Sequence, residues 1–371
     1  MSILDKNYFE QVYKIINGKK YKYNVRYIRE DFTDFQNEFN KVWSNKCMDY
    51  NFQPSILPKK DRIIVMGDIH GDWDLTIELF KLANLIDDNM NWIGKDTVVV
   101  QVGDQIDRCR FNGIDCSDIN ATKDDEASDI KILHFFTKLH NMAQKDGGAV
   151  YSLIGNHELM NVMGKMDYVS YKGRKEFENY DAPSEYKTGE EKRRWAFKQG
   201  NEISNFLGCT RHLAIKIGSN LFVHAGILPD VANKYSIEEL NRLLKLYLWN
   251  KLENKEKYND IFYSNNSPLW NREIGGIAYK KYGINTQHIN TKELTCIDIL
   301  SPMEKIYKVG KIFVGHTPII NNGISHICDE KIWLTDVAGS KAFDNTAPKV
   351  HTRKAQVLEI LNDNIINVLK K

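Results

Sequence analysis

Three short apolar runs, Arg62-Ile63-Ile64-Val65-Met66, Thr97-Val98-Val99-Val100-Gln101-Val102 and Ala149-Val150-Tyr151-Ser152-Leu153-Ile154, interrupt a chain rich in charged and polar residues. Unbroken runs of this length, dominated by β-branched side chains, predict strands buried on both faces. Between them the apolar positions switch to helical spacing. Leu75, Leu79, Leu82 and Ile86 mark one face of a helix after the first run, and Ile132, Phe136, Leu139 and Ala143 mark another after the second. Strand, loop, helix, strand is the rhythm of a parallel sheet, so an α/β core is expected.

Further along, Leu213 to Ile217 and Leu221 to His224 flank Gly218-Ser219-Asn220, which predicts a hairpin. Ser236 and Glu239 have the spacing of a capping box ahead of a helix with Leu240, Leu243, Leu244 and Tyr247 inward. The chain closes with Val357 to Leu361 and Ile365 to Leu369 around Asn362-Asp363-Asn364, a second hairpin expected to cap a second sheet. At the other end, Phe32, Phe35, Phe39 and Trp43 recur at helical spacing before the turn around Pro54 and Pro58. Residues 1–60 are therefore read as a helical extension packing on a catalytic domain of residues 61–371. The polar stretch of about 160–212, with helical character around Arg194-Trp195-Ala196-Phe197, is read as an inserted cap.

Each strand is followed by a motif that carries chemistry. In order these are Gly67-Asp68-Ile69-His70-Gly71, Gly103-Asp104-Gln105-Ile106-Asp107-Arg108, Gly155-Asn156-His157-Glu158, His224-Ala225-Gly226 and Gly315-His316-Thr317-Pro318. A parallel sheet delivers such loops to one rim, where ligands collect in open α/β folds. Asp68 and His70 can hold one metal ion, Asp104 can bridge to a second, and Asn156, His224 and His316 can complete it. Two ions about 4 Å apart activate a water and neutralise phosphoryl charge, which suits in-line hydrolysis of a phosphate ester by a shared hydroxide. The mixed oxygen and nitrogen donors favour manganese, iron or zinc over calcium. Arg108 and Arg272 are candidates for a guanidinium clamp on phosphate, and His157 for the acid that protonates the leaving oxygen, with Asp107 orienting it.

Composition narrows the setting. The 371 residues carry 51 Lys and Arg against 49 Asp and Glu, a formal charge of +2, without the basic bias of a nucleic-acid protein. The first residues lack the apolar core of a secretory signal, no run approaches a membrane span, and no membrane partner is expected. Cys47, Cys109, Cys116, Cys209, Cys296 and Cys328 lack zinc-like pairing and are too sparse for a disulfide scaffold, so reduced thiols in a cytoplasmic setting are expected.

Together the motifs resemble the calcineurin-like metallophosphoesterase superfamily, and within it the PPP-type phosphatases. The extended text Gly155 to Val162, the Ser267-Pro268-Leu269-Trp270 segment, Gly315 to Pro318 and Asp336-Val337-Ala338-Gly339-Ser340 are most similar to the bacterial-type, Shewanella-like branch. The resemblance implies a two-sheet β-sandwich flanked by helices and a metal-dependent phosphoprotein phosphatase. It also implies the ligand set above, with Arg108 and Arg272 on phosphate and Asp107 and His157 as the acid pair. Two positions depart from the pattern: Cys109 replaces the usual glycine after Asp-Arg, and Ala225 the first glycine of His-Gly-Gly. Cys109 is read as a buried, inert thiol, the alternative being an oxidation-sensitive partner of Cys116. A diadenosine tetraphosphatase is the alternative function; it shares the ligands and His-Ala-Gly but commonly has Asn at the position of Asp107. Serine/threonine and tyrosine specificity both stay open.

Overall fold

The computed structural model describes residues 10–16, 19–25, 32–285 and 291–371. Two six-stranded mixed sheets pack face to face and carry helices on their outer faces. In the first sheet, β4 (Arg62–Met66), β5 (Val98–Gln101), β6 (Ala149–Leu153) and β7 (Arg211–His212) run parallel, as the apolar runs predict. Their side chains divide by the two-residue period of a strand. Ile63, Val65, Val98 and Val100 turn to the inter-sheet core. Ile64, Met66 and Val99 turn outward against Leu79 and Phe80 of α2 (Trp73–Leu82) and Ile132 and Phe136 of α3 (Asp129–Ala143).

The second sheet contains β3 (Ile56–Leu57), β8 (Ala214–Ile217), β9 (Asn220–Val223), β10 (Lys311–Val314), β11 (Ser325–Ile327) and β12 (Ile332–Leu334). Ile215, Phe222, Phe313 and Trp333 project from it into the shared core. The expected hairpin around Gly218 is β8–β9, antiparallel. The C-terminal hairpin forms too, but on the other sheet. β13 (Gln356–Leu361) pairs antiparallel with β4 and carries β14 (Ile365–Lys370) at the sheet edge. Both its strands supply alternate residues to the core face, Leu358 and Ile360 among them, so it extends the first sheet instead of capping the second.

Register places the site. Met66 pairs with Gln101 and Gln101 with Ser152, so the first three motif loops leave one rim at the same height. On the facing sheet Phe222 pairs with Phe313, which brings the loops carrying His224 and His316 together. Ser236 and Glu239 form the reciprocal capping box, with bonds of 3.1 and 2.8 Å. Helix α1 (Phe32–Lys46) covers the core through Phe39, whose ring lies 5.8 Å from Trp249; the side chains of Phe32 and Phe35 lie outside the described residues. Ahead of α1, the strands β1 (Glu10–Ile16) and β2 (Lys19–Val25) pair antiparallel, an element the helical spacing did not predict. Helix α4 (Asn156–Val162) begins within the third motif, and α5 (Tyr171–Lys175), α6 (Gly189–Phe197) and α7 (Glu202–Thr210) lie between it and the fourth.

The cysteines overturn their sequence reading. All six pair, as Cys47–Cys209, Cys109–Cys116 and Cys296–Cys328, with Cα separations of 5.5, 5.8 and 5.5 Å. Partners separated by 162 and 32 positions meet only after the helices pack, which no spacing along the chain displays. Among the described residues, no helix is long and apolar enough to cross a membrane.

Candidate active site

The motif loops interlock through their backbones before any side chain is considered. The amides of Ile69 and His70 donate to the Asp104 carbonyl at 2.9 and 3.0 Å, and Gly71 donates to Gln105 at 2.9 Å. Glu158, fully buried, accepts from the amides of Asp104, Gln105, Ile106 and Gly155 at 3.0, 2.6, 3.3 and 2.7 Å. Burial and the Asp104 charge push its carboxyl up to about 7, while the amide donors oppose them. Glu158 thereby staples the second motif to the third. His70, Asp104, Asp107 and His316 all take positive φ, between 49° and 75°. Four non-glycine residues in the left-handed region mark a site whose geometry is imposed by its surroundings.

Two glycines are required by proximity. A Cβ on Gly155 would lie 2.1 Å from Asp104 Oδ1, and one on Gly315 would lie 2.1 Å from Asp68 Oδ1. The backbone can approach the carboxylates this closely only without a side chain.

Asp104 sits at the centre. Its Oδ1 accepts the His157 amide at 3.0 Å, and its Oδ2 lies 3.3, 3.8 and 3.9 Å from Nε2 of His224, His157 and His70. Asp68 accepts the His316 amide, and its Oδ2 lies 3.8 Å from His70 Nε2. The Asn156 Oδ1 atom meets His224 Nε2 at 3.0 Å and His316 Nδ1 at 2.8 Å. The remaining ring nitrogens of His70, His224 and His316 face the carbonyls of Ile106, Val102 and Trp270. Such outward bonds fix imidazole orientation for metal ligation. All six expected metal ligands are thus brought together, with two groups of donor atoms, His70–Asp104–His157 and Asp104–His224–His316, each within 4.8 Å.

The electrostatics fit a cation. Burial, Asp336 and Asp104 drive the Asp68 carboxyl well above its usual range. Burial opposes ionisation of Asp104 too, but His224, His157 and His70 hold it well below its usual range. Burial depresses His70 and His316 strongly, assisted by Arg110 and Arg272 respectively, which leaves neutral nitrogens able to ligate. Buried carboxyl groups and the neutral imidazoles of His70 and His316, with His224 instead pulled up by Asp104 against its burial, form a donor set that a divalent ion relieves.

Beside this centre His157 Nδ1 meets Asp107 Oδ2 at 2.9 Å. Asp107 Oδ1 accepts from Asn161 at 2.9 Å and lies 3.4 Å from Arg193, which also bonds Asn161 at 2.8 Å and Asp129 at 2.8 Å. Arg272 turns to the rim, donating to the His316 carbonyl at 2.5 Å and Thr317 Oγ1 at 3.1 Å. Arg108 is the one expected residue that does not turn to the centre. It is 1 % exposed and held by Glu126 at 2.6 Å, the Gly71 carbonyl at 2.9 Å and the Asp124 carbonyl at 3.1 Å.

Four further residues at the site, Glu158, Asp336, Arg110 and Arg193, carry no expectation from the motifs. Glu158 and Asp336 lie within quoted motifs, so position alone could have flagged them; burial and Asp104 push Asp336 up to about 6. Arg110 lies two residues beyond Arg108. Arg193 comes from α6, in a polar stretch that gives no signal, yet it is fully buried against Asp107.

The profile of the calcineurin-like phosphoesterase family matches residues 61–319. An uncharacterized protein of Acanthamoeba polyphaga mimivirus is 38% identical over 257 residues, covering 63% of this chain and 97% of that protein. Shewanella-like protein phosphatase 2 of Arabidopsis thaliana is 27% identical, covering 84% of this chain and 78% of its own length. Among solved structures, the cold-active protein-tyrosine phosphatase of a psychrophilic Shewanella species superposes with a TM-score of 0.60 at 19% identity, over 96% of this chain and 95% of that one.

Proposed function

We propose that this chain, which belongs to the calcineurin-like phosphoesterases, is a metal-dependent phosphoprotein phosphatase that hydrolyses phosphomonoesters. The carrying observation is the Asp107–His157 pair at 2.9 Å, set beside the Asp104 cluster. Asp68, His70 and Asp104 would hold one ion, and Asp104, Asn156, His224 and His316 the other. Bound there, two ions such as manganese and iron, or zinc, would supply Lewis acidity and an activated water.

The chain's own residues supply the rest. Nδ1 of His157 is engaged by Asp107, which leaves Nε2 to face the departing oxygen, and the imidazolium form of the ring would deliver its Nε2 proton there. Asn161 and Arg193 fix the Asp107 carboxylate, so the imidazole is aimed before substrate arrives. Arg272, anchored by its NH1 on the His316 carbonyl and Thr317, stands at the rim to receive phosphoryl oxygens. The Asp107 carboxylate also favours this reading over a diadenosine tetraphosphatase. The relatives named as Shewanella-like protein phosphatases point to a phosphoprotein or phosphopeptide substrate.

Manganese-dependent phosphate release from a phosphotyrosine peptide, a phosphothreonine peptide and diadenosine tetraphosphate, measured side by side, tests the proposal. Turnover of either peptide above the dinucleotide supports it and assigns the residue class. Preference for the dinucleotide would move the function to nucleotide hydrolysis.

A further inference from the structure

We infer that Arg110, not Arg108, is the guanidinium that meets the substrate phosphoryl group opposite Arg272; this rests on the phosphatase reading above. The two arginines leave the same turn in opposite senses. Asp107, at φ 75°, turns the chain so that Arg108 enters the protein, where Glu126, two carbonyls and, at 3.8 Å, Asp72 surround its guanidinium. Turning it toward substrate would break its bonds to Glu126 and to the carbonyls of Gly71 and Asp124.

Arg110 has no such anchor. Among the described residues its side-chain hydrogen bonds come from NH1 alone, to the carbonyls of Asp107 at 3.2 Å and Cys109 at 2.7 Å. Its guanidinium lies between two rings, 4.6 Å from the centre of Phe343 and 5.5 Å from that of Tyr168. Those rings border the site directly: Phe343 packs on His70 at 5.5 Å and Tyr168 on His157 at 4.9 Å. Arg110 is therefore held over the gap between the first-loop ligand and the acid. The same placement shows in its field, since its charge acts on Asp68, His70, Asp104, Asp107 and Asp336. Arg108 acts instead on Asp74 and Lys341, away from the centre.

The backbone of the turn is fixed on both sides of this side chain. Cys109 donates its amide to the Tyr168 carbonyl at 3.1 Å and is bonded through sulfur to Cys116. The aromatic slot and the pinned backbone leave the free edge of a planar guanidinium, Nε and NH2, available for two phosphoryl oxygens. Bidentate recognition of this kind is particular to arginine.

The test compares wild type, R110A, R110K and R108A with p-nitrophenyl phosphate, and measures binding of inorganic phosphate by competitive inhibition and calorimetry. Thermal midpoints establish that each variant is folded. Arg110 in this role predicts that R110A weakens phosphate binding about 10-fold and lowers kcat/KM roughly 100-fold, with R110K restoring charge but only part of the loss. R108A should lower the thermal midpoint and affect phosphate binding less than R110A does. Phosphate affinity unchanged in R110A and R110K, or a larger loss in R108A, overturns the assignment. Wild-type protein inert toward every phosphomonoester refutes instead the function on which the assignment rests.

Discussion

His157 Nδ1 lies 2.9 Å from Asp107 Oδ2, and the other oxygen of the same carboxylate is held by Asn161 at 2.9 Å. This is the geometry of an imidazole oriented by an acid, with Nε2 left to face substrate. Its contribution depends on how badly the leaving oxygen needs a proton. D107N is expected to lower kcat about 100-fold on a phosphoserine peptide, whose alkoxide leaves poorly, and far less on p-nitrophenyl phosphate. Equal losses on the two substrates would show that Asp107 acts elsewhere than in proton delivery.

Asp104 Oδ2 lies within 3.9 Å of three imidazoles, and no other carboxylate in the site is so placed. D104N should therefore lose both ions, read directly as metal content by mass spectrometry, and with them turnover. Chelation of the wild-type protein should do the same reversibly and lower its thermal midpoint. An ion present at 100 times its dissociation constant contributes about 2.7 kcal/mol to stability. D104N that keeps its metal and its activity would move the catalytic centre away from this rim.

Two buried histidines outside the metal-ligand cluster give a pH dependence whose sign can be worked out. Burial pulls His140 down to about 4 and His212 down to about 3, against an ordinary 6.5. Both stay neutral in the folded protein while their unfolded counterparts take up protons below pH 6.5. Stability is thus intact above pH 6.5 and falls as pH drops, by up to about 1.4 kcal/mol per pH unit for each imidazole. The fall continues to about 4 for His140 and about 3 for His212. Urea midpoints of H140Q and wild type should converge between pH 7.5 and 5. Parallel curves would mean that His140 titrates normally in the fold.

The disulfide Cys47–Cys209 ties the end of α1 to α7 across 162 positions. Closing so long a loop restricts the unfolded chain, and its loss is expected to cost about 2–5 kcal/mol. The paired C47S/C209S variant should show a lower thermal midpoint than the oxidised wild type. Reductant, which opens all three disulfides, should lower it at least as far, and a non-reducing digest should yield the cross-linked peptide. Free thiols in that digest would refute the pairing.

Much of this protein was legible along the chain. The apolar runs before the motifs determined β4, β5 and β6, because a strand buried on both faces is apolar at most of its positions. The capping box at Ser236 and the turn at Gly218 are local codes, satisfied by residues a few positions apart. The expected metal ligands were singled out for a related reason: each lies within four residues of the end of a strand, in a short motif of chemically capable side chains.

What the sequence could not display is whatever depends on the direction of a side chain or on two distant segments meeting. Arg108 and Arg110 stand two positions apart in the chain, and only the left-handed backbone at Asp107, with Glu126 waiting inside, decides which of them turns away from the metal-ligand cluster. The C-terminal hairpin was evident, but its choice of sheet followed from the register of β13 against β4. Cys47 and Cys296 looked isolated because their partners, 162 and 32 positions away, are brought to 5.5 Å only in the folded chain. Arg193 reaches Asp107 from 86 positions away, through a buried charge pair that no local pattern encodes. Short-range geometry is written in the sequence; long-range contact is decided by the packing of the whole.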